Sequence, residues 1–178
     1  MAATVWIGLL RGVNVGGKHS LSMKAVKELF EDAGHREVVT YIQSGNVVFE
    51  SDDTEAALCA DLERRLAAAA GFAVPVVLRS AAEMRAVVQR QPFTHADAAH
   101  VHVSFLAAPP PKGALGTVDL DAVAPEGAAV VGRELYLHLP NGVGRARVPI
   151  AIGKVPGLRE GTLRNWRTVT KLVELSAR

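Results

Sequence analysis

The stretch Gly12-Val-Asn-Val-Gly16-Gly17-Lys18-His19 has the Gly-x4-Gly-Lys spacing of a phosphate-binding loop. Such a loop works because backbone N–H groups and a helix N-terminus converge on phosphate oxygens while Lys neutralises charge. The segment lies between an apolar run and an amphipathic one, as that chemistry requires. Two parts are missing. His19 stands where Ser or Thr would hold magnesium, and no apolar strand ends in an Asp that could serve as the second metal anchor. The expectation is an anion-binding turn formed by Arg11, Asn14, Gly16, Gly17 and Lys18, with a simple tight turn as its competitor.

Three other sets bear on chemistry. Gln43, Ser44 and Asn46 offer amides and a hydroxyl at a strand junction, where they can orient a ligand or satisfy the backbone of a turn. Asn141 and Arg145, in a glycine-rich stretch, go with Arg164, Asn165 and Trp166 as a basic set carrying an aromatic face. Trp166 reads first as a core anchor and second as a stacking surface. If the two halves of the chain pack face to face, this set meets Arg11 and Lys18 in a shared cleft. His100 and His102 alternate along an apolar run, so both imidazoles could face one metal, with His95 and His138 nearby. No Cys and no Asp/Glu pair stands at ligand spacing, so the expectation is exposed strand histidines and no metal. No Gly-x-Ser-x-Gly elbow and no nucleophile–base pair is legible, Asp97 and Glu126 have no carboxylate partner, and no cofactor is implied.

These residues must be positioned by elements that the hydrophobic pattern outlines. Thr4 to Leu10 reads as a buried strand. Met23, Val26, Leu29, Phe30 and Ala33 recur at helical spacing behind Ser20 or Ser22 as cap, with Gly34 at the end. Val38 to Ile42 and Asn46 to Glu50 read as strands joined at Ser44-Gly45. Asp52 to Glu55 opens a second helix with the stripe Leu58, Leu62 and Leu66, ended by Gly71, and Ala73 to Leu78 reads as a fourth strand. This is a β-α-β-β-α-β order. Ser80 and Glu83 have capping-box spacing for a helix that Gln91-Pro92 stops. The pattern then returns in weaker form: a strand over 100–107, Pro109-Pro110-Pro111, a short helix over 118–124, a hairpin across Gly132-Arg133, and a helix over 168–175. The expectation is an α+β fold of two ferredoxin-like (βαββαβ) units, with antiparallel sheets and helices on one face. They would occupy 1–80 and 100–178, joined by a helix and linker over 81–99. No residue-by-residue repeat supports the second unit.

Composition bounds the function. Of 178 residues, 49% are apolar, enough for a sizeable core. A net charge of +2 does not argue for nucleic acid or a membrane surface. Charge is uneven, though. From Asn141 onward there are eight Lys or Arg against Glu160 and Glu174, which would make a positive lobe. One cysteine, Cys59, excludes an internal disulfide and reads as a small helix residue. The start of the chain does not read as a signal peptide, and no run reaches the roughly 20 apolar residues of a membrane span, so the expected location is cytoplasmic with no membrane partner.

Three separated motifs, Leu9-Leu-Arg-Gly-Val-Asn-Val-Gly-Gly-Lys18, Tyr41-Ile-Gln-Ser-Gly-Asn-Val-Val-Phe49 and Asn165-Trp-Arg-Thr-Val-Thr-Lys-Leu172, resemble the bacterial family catalogued as domain of unknown function 1697. The resemblance spans nearly the whole chain and implies two ferredoxin-like units and no established activity. Members often carry Asn where this chain has His19. The functions in view are then, in order, binding of a small anionic or nucleotide-like ligand, an RNA-binding module, and an enzyme acting on a phosphorylated substrate with Arg11, Lys18 and Arg145 as clamps. The RNA reading is weakened because only Phe49 lies on a candidate platform strand and aromatics are 5% of the chain.

Overall fold

Alternating apolar positions and capped amphipathic stretches build two four-stranded antiparallel sheets and five α-helices, described for residues 3–178 of a computed structural model. The chain divides into two units. One runs up to Arg85 and includes Leu172–Arg178; the other is Ala86–Lys171. Among the described residues no helix is long and apolar enough to cross a membrane.

The first unit contains β1 (Thr4–Leu10), α1 (Met23–Asp32), β2 (Arg36–Tyr41), β3 (Asn46–Ser51), α2 (Glu55–Ala70) and β4 (Val76–Ser80), in sheet order β2-β3-β1-β4. Helix α1 forms because Met23, Val26 and Phe30 present one apolar stripe and the Ser22 hydroxyl accepts from the Ala25 N–H (3.4 Å). Thr54 caps α2 in the same way, and Gly71 at φ 79° ends it. Leu58, Leu62 and Leu66 join Trp6, Leu10, Phe30, Phe49 and Leu78 in the helix-side core. The alternate β1 residues Ile7 and Leu9 are also fully buried, as is Arg79 on β4, so both faces of the central strand leave water. Leu172–Arg178 belongs to this unit, and the Arg178 guanidinium donates to the Glu37 carbonyl (2.8 Å).

The expected fourth strand is shifted toward the C-terminus. Its pairing with β1 runs from Leu10↔Val76 to Trp6↔Ser80, and residues ahead of Pro75 are spent on the turn, where the Pro75 carbonyl accepts from the Arg11 N–H (2.9 Å). The capping box is present: the Ser80 N–H donates to Glu83 Oε2 (2.8 Å) and the Glu83 N–H to Ser80 Oγ (3.2 Å), opening α3 (Ala81–Gln89).

The second unit contains β5 (Val101–Phe105), β6 (Gly127–Val131), β7 (Glu134–His138), α4 (Val148–Ile152) and β8 (Thr162–Asn165), in sheet order β6-β7-β5-β8. Helix α5 (Trp166–Leu175) follows β8. The hairpin turns at Gly132-Arg133, with Val131 paired to Glu134. The helix expected over 118–124 is replaced by two 3₁₀ turns, Leu115–Thr117 and Asp121–Val123. Pro125 ends that stretch too early for an α-helix. Neither α4 nor β8 was expected from the glycine-rich sequence. Helix α4 is capped from a distance: the buried Glu126 carboxylate accepts from the N–H groups of Arg147 (2.9 and 3.0 Å) and Val148 (2.7 Å). Strand β8 owes its form to pairing with β5, from Phe105↔Thr162 to His102↔Asn165.

Candidate functional site

The glycine-rich loop is a small hairpin tip rather than a phosphate cradle. Gly16 (φ 58°) and Gly17 (φ 72°) both adopt the left-handed region, and the Lys18 N–H donates back to the Val15 carbonyl (3.0 Å). That closes a two-residue turn of the kind that needs positive φ at both centres. Helix α1 begins only at Met23, so Lys18 is not at a helix N-terminus, as a P-loop lysine must be. Lys18 is exposed, and His19 stacks on Phe72 at 4.4 Å between centroids.

The polar residues around this loop are occupied with the backbone. Asn14 Nδ2 donates to the carbonyls of Leu21 (2.9 Å) and Gln43 (2.8 Å), and its Oδ1 accepts from the Leu21 N–H (2.8 Å). One amide thus closes the loop and ties it to the turn that carries Gln43, Ser44 and Gly45. Asn46 is fully buried, and its Nδ2 donates to the Tyr41 carbonyl (2.9 Å) and Ser44 Oγ (3.0 Å). Gly45 has φ 87°, and a Cβ there would lie 2.7 Å from Val13 Cγ2. The first two sequence motifs therefore meet each other, and the meeting is that of a shared turn. Phe49 is fully buried against Phe30 (5.1 Å), which removes it as a platform for stacking a base.

The third motif closes β8 and opens α5. Asn165 Oδ1 accepts from the Thr168 N–H (2.8 Å) as the helix cap. Arg164 is buried. It donates to Thr162 Oγ1 (2.8 Å) and the Leu163 carbonyl (2.9 Å), and burial brings its guanidinium down to about 10. Asn141 and Arg145 lie exposed in the segment between β7 and α4.

A cavity of about 510 Å³ opens where β5, β8 and α5 meet in this unit, within the usual range for a small-molecule pocket. Ala98 and Ala99 line one part of it; His102, Asn165, Trp166, Arg167 and Thr170 supply the rest. Trp166 is half-buried there and not sealed in the core, which corrects the first reading of that residue. The Thr170 hydroxyl donates to the Trp166 and Arg167 carbonyls (3.1 Å each), facing its own helix.

His102 is the unexpected member. It is 7% exposed, and its Nδ1 is buried without a hydrogen-bond partner in the protein. The expectation of exposed strand histidines fails for it. His100 does not share its strand face either: it ends the 3₁₀ turn Ala98–His100, with its ring 6.5 Å from that of His138. Burial pushes the His102 imidazole below the ordinary histidine value, with the His100 carbonyl pulling the other way. Among the described residues no group of three or more His, Cys, Asp or Glu is placed to hold a metal. The sequence singles out His102 only as a strand histidine alternating with His100; its place between Val101 and Val103 is the signal of a buried ring.

The solved structure of a conserved bacterial protein from Streptococcus pneumoniae is similar to this chain, with a TM-score of 0.77 and 25% identity over 98% of this chain and 99% of that one. No curated protein matches. The model of a family described as protein of unknown function (DUF1697) matches residues 3–136, a span that holds the N-terminal loop, the Gln43–Asn46 turn and His102. With three quarters of its length inside that match, the chain belongs to the DUF1697 family of proteins of unknown function.

Proposed function

We propose that this protein binds a small nucleotide-like ligand, a planar ring joined to an anionic group, in the cavity at the start of α5. The observation that carries the reading is the half-buried indole of Trp166 at the wall of this cavity, with Arg167 beside it at the first turn of α5. Trp166 offers the face on which a planar ring stacks. Arg167 and the positive end of α5 favour an anion at the same mouth.

Thermal-shift measurements with nucleotides, sugar phosphates and inorganic phosphate test this. Ring-bearing anions should raise the melting temperature in a concentration-dependent way, and Trp166→Ala should remove most of that shift. A flat response across the panel defeats the proposal.

A further inference from the structure

Ser104 breaks the apolar lining of the second unit's sheet. On β5 it pairs with Leu135 on one side and Leu163 on the other. Directly paired residues point the same way, so a hydroxyl stands between two leucines on the face that α4 covers. In the first unit the residue in the same register is Gly8, which pairs with Val47 and Leu78. There Phe49 and Leu78 close over the strand: a Cβ at Gly8 would meet both at 3.7 Å.

The second unit leaves that space open. A pocket of about 140 Å³ lies between the sheet and α4, and it shares no lining residue with the larger cavity at the start of α5. Leu135, Leu163, Ile152 and Leu158 make its walls, with Ser104 and Gly161 at one end. Ser104 is only 8% exposed, and its hydroxyl bonds to no described residue. It is not sealed off either. The buried side-chain atoms without a partner are Trp6 Nε1, His35 Nε2 and His102 Nδ1, and Ser104 Oγ is not among them. Gly161 makes room for it, since a Cβ there would collide with Ser104 Oγ. A hydroxyl held in an apolar wall and unpaired by the protein finds its partner in whatever enters the pocket.

We propose that this pocket is a second ligand site, for a neutral molecule the size of one aromatic ring that carries a hydroxyl to pair with Ser104. The volume sets the size: an apolar cavity of about 150 Å³ takes benzene. The charge follows from the rim, where Arg159 Nε donates to Glu160 Oε1 (3.0 Å), so that guanidinium already has its counter-charge. The hydroxyl follows from Ser104, which offers one donor and two lone pairs to a group that can also do both.

Phenol and toluene are alike in size and differ in hydroxyl against methyl, so together they separate the pocket from the hydrogen bond. Each is titrated into the full chain and followed by methyl NMR. Phenol should bind the wild type saturably, with a dissociation constant below about 1 mM. Its binding should shift the methyl signals of Leu135, Ile152 and Leu163 and leave those of Leu58 and Leu66 in place. Ser104→Ala should weaken phenol by roughly tenfold and leave toluene as tight as before or tighter. Ser104→Cys, whose thiol is a weak donor, should fall between the two. Equal changes for phenol and toluene, or full phenol affinity in Ser104→Ala, overturn the role of Ser104. Absence of saturable shifts at Leu135, Ile152 and Leu163 in the wild type overturns the site itself, and needs no variant to fold.

Discussion

The two units share one strand order but roof their sheets differently. In the first, the connections carry α1 with ten residues and α2 with sixteen. In the second, the first connection holds only 3₁₀ turns, and the second holds one more turn and the five-residue α4. At about 1.5 Å per residue, α2 runs roughly 24 Å and α4 under 8 Å. The long helix lays Leu58, Leu62 and Leu66 along the sheet; the short one supplies Val148 and Ile152. Side chains under the long roof are apolar, with Trp6 among them. The second unit, roofed by the short helix, has His102 in the register of Trp6, at the wall of a cavity. The longer helix goes with a filled core in the first unit, and the shorter one with a second unit in which His102 lines a cavity.

The largest test of this contrast is in the roofs. Leu62→Ala should cost about 3 kcal/mol, as a fully buried leucine under a rigid helix leaves a cavity that cannot collapse. Ile152→Ala, at the end of a helix of little more than one turn, should cost nearer 2 kcal/mol because the site relaxes. Urea denaturation compares the two, and equal or reversed costs would break the contrast.

A smaller effect comes from the buried histidines, one in each unit. Burial lowers the pKa of both His35 and His102 from the ordinary value of 6.5. Asp53 and Asp61 oppose that shift at His35 while Arg65 adds to it. At His102 the His100 carbonyl opposes it and the His100 ring adds to it. The unfolded chain then binds protons that the folded one refuses, so stability is full above the ordinary value and falls as pH drops below it. Melting temperature should decline from pH 7 to pH 5, and His35→Leu and His102→Leu should each flatten part of that decline. Slopes identical to wild type would mean the rings are not excluded from protonation. The smallest effect expected is at Lys18. Lys18→Ala should change stability by less than about 0.5 kcal/mol and leave nucleotide binding unaltered, since the side chain is exposed at a hairpin tip. Loss of binding there would return the site to the N-terminal loop.

What could be read from the sequence was local. The stripes of α1 and α2, the cap at Ser22 (Ser20 being its alternative in the sequence), the Ser80–Glu83 box and the Gly132-Arg133 turn all depend on residues within a few positions of each other. Strand β8 was not legible, because its form comes from pairing with β5 across a long stretch of chain. The Gly-Lys spacing misled because spacing does not say which carbonyl a turn closes on; here Lys18 returns to Val15. Asn165 and Trp166 stood out by type, and the structure places both at the cavity. His102 stood out too, but as an exposed strand histidine, because alternation tells which face a residue occupies and not what covers that face.

The division of the chain has a consequence for how the protein is made. Leu172–Arg178, including the arginine that reaches the Glu37 carbonyl, belongs to the first unit, yet it leaves the ribosome only after all of Ala86–Lys171. At about 5–20 residues per second the nascent first unit waits roughly 4–17 seconds for that segment. Vectorial synthesis therefore supplies the last segment of the first unit only after the whole of the second has been made.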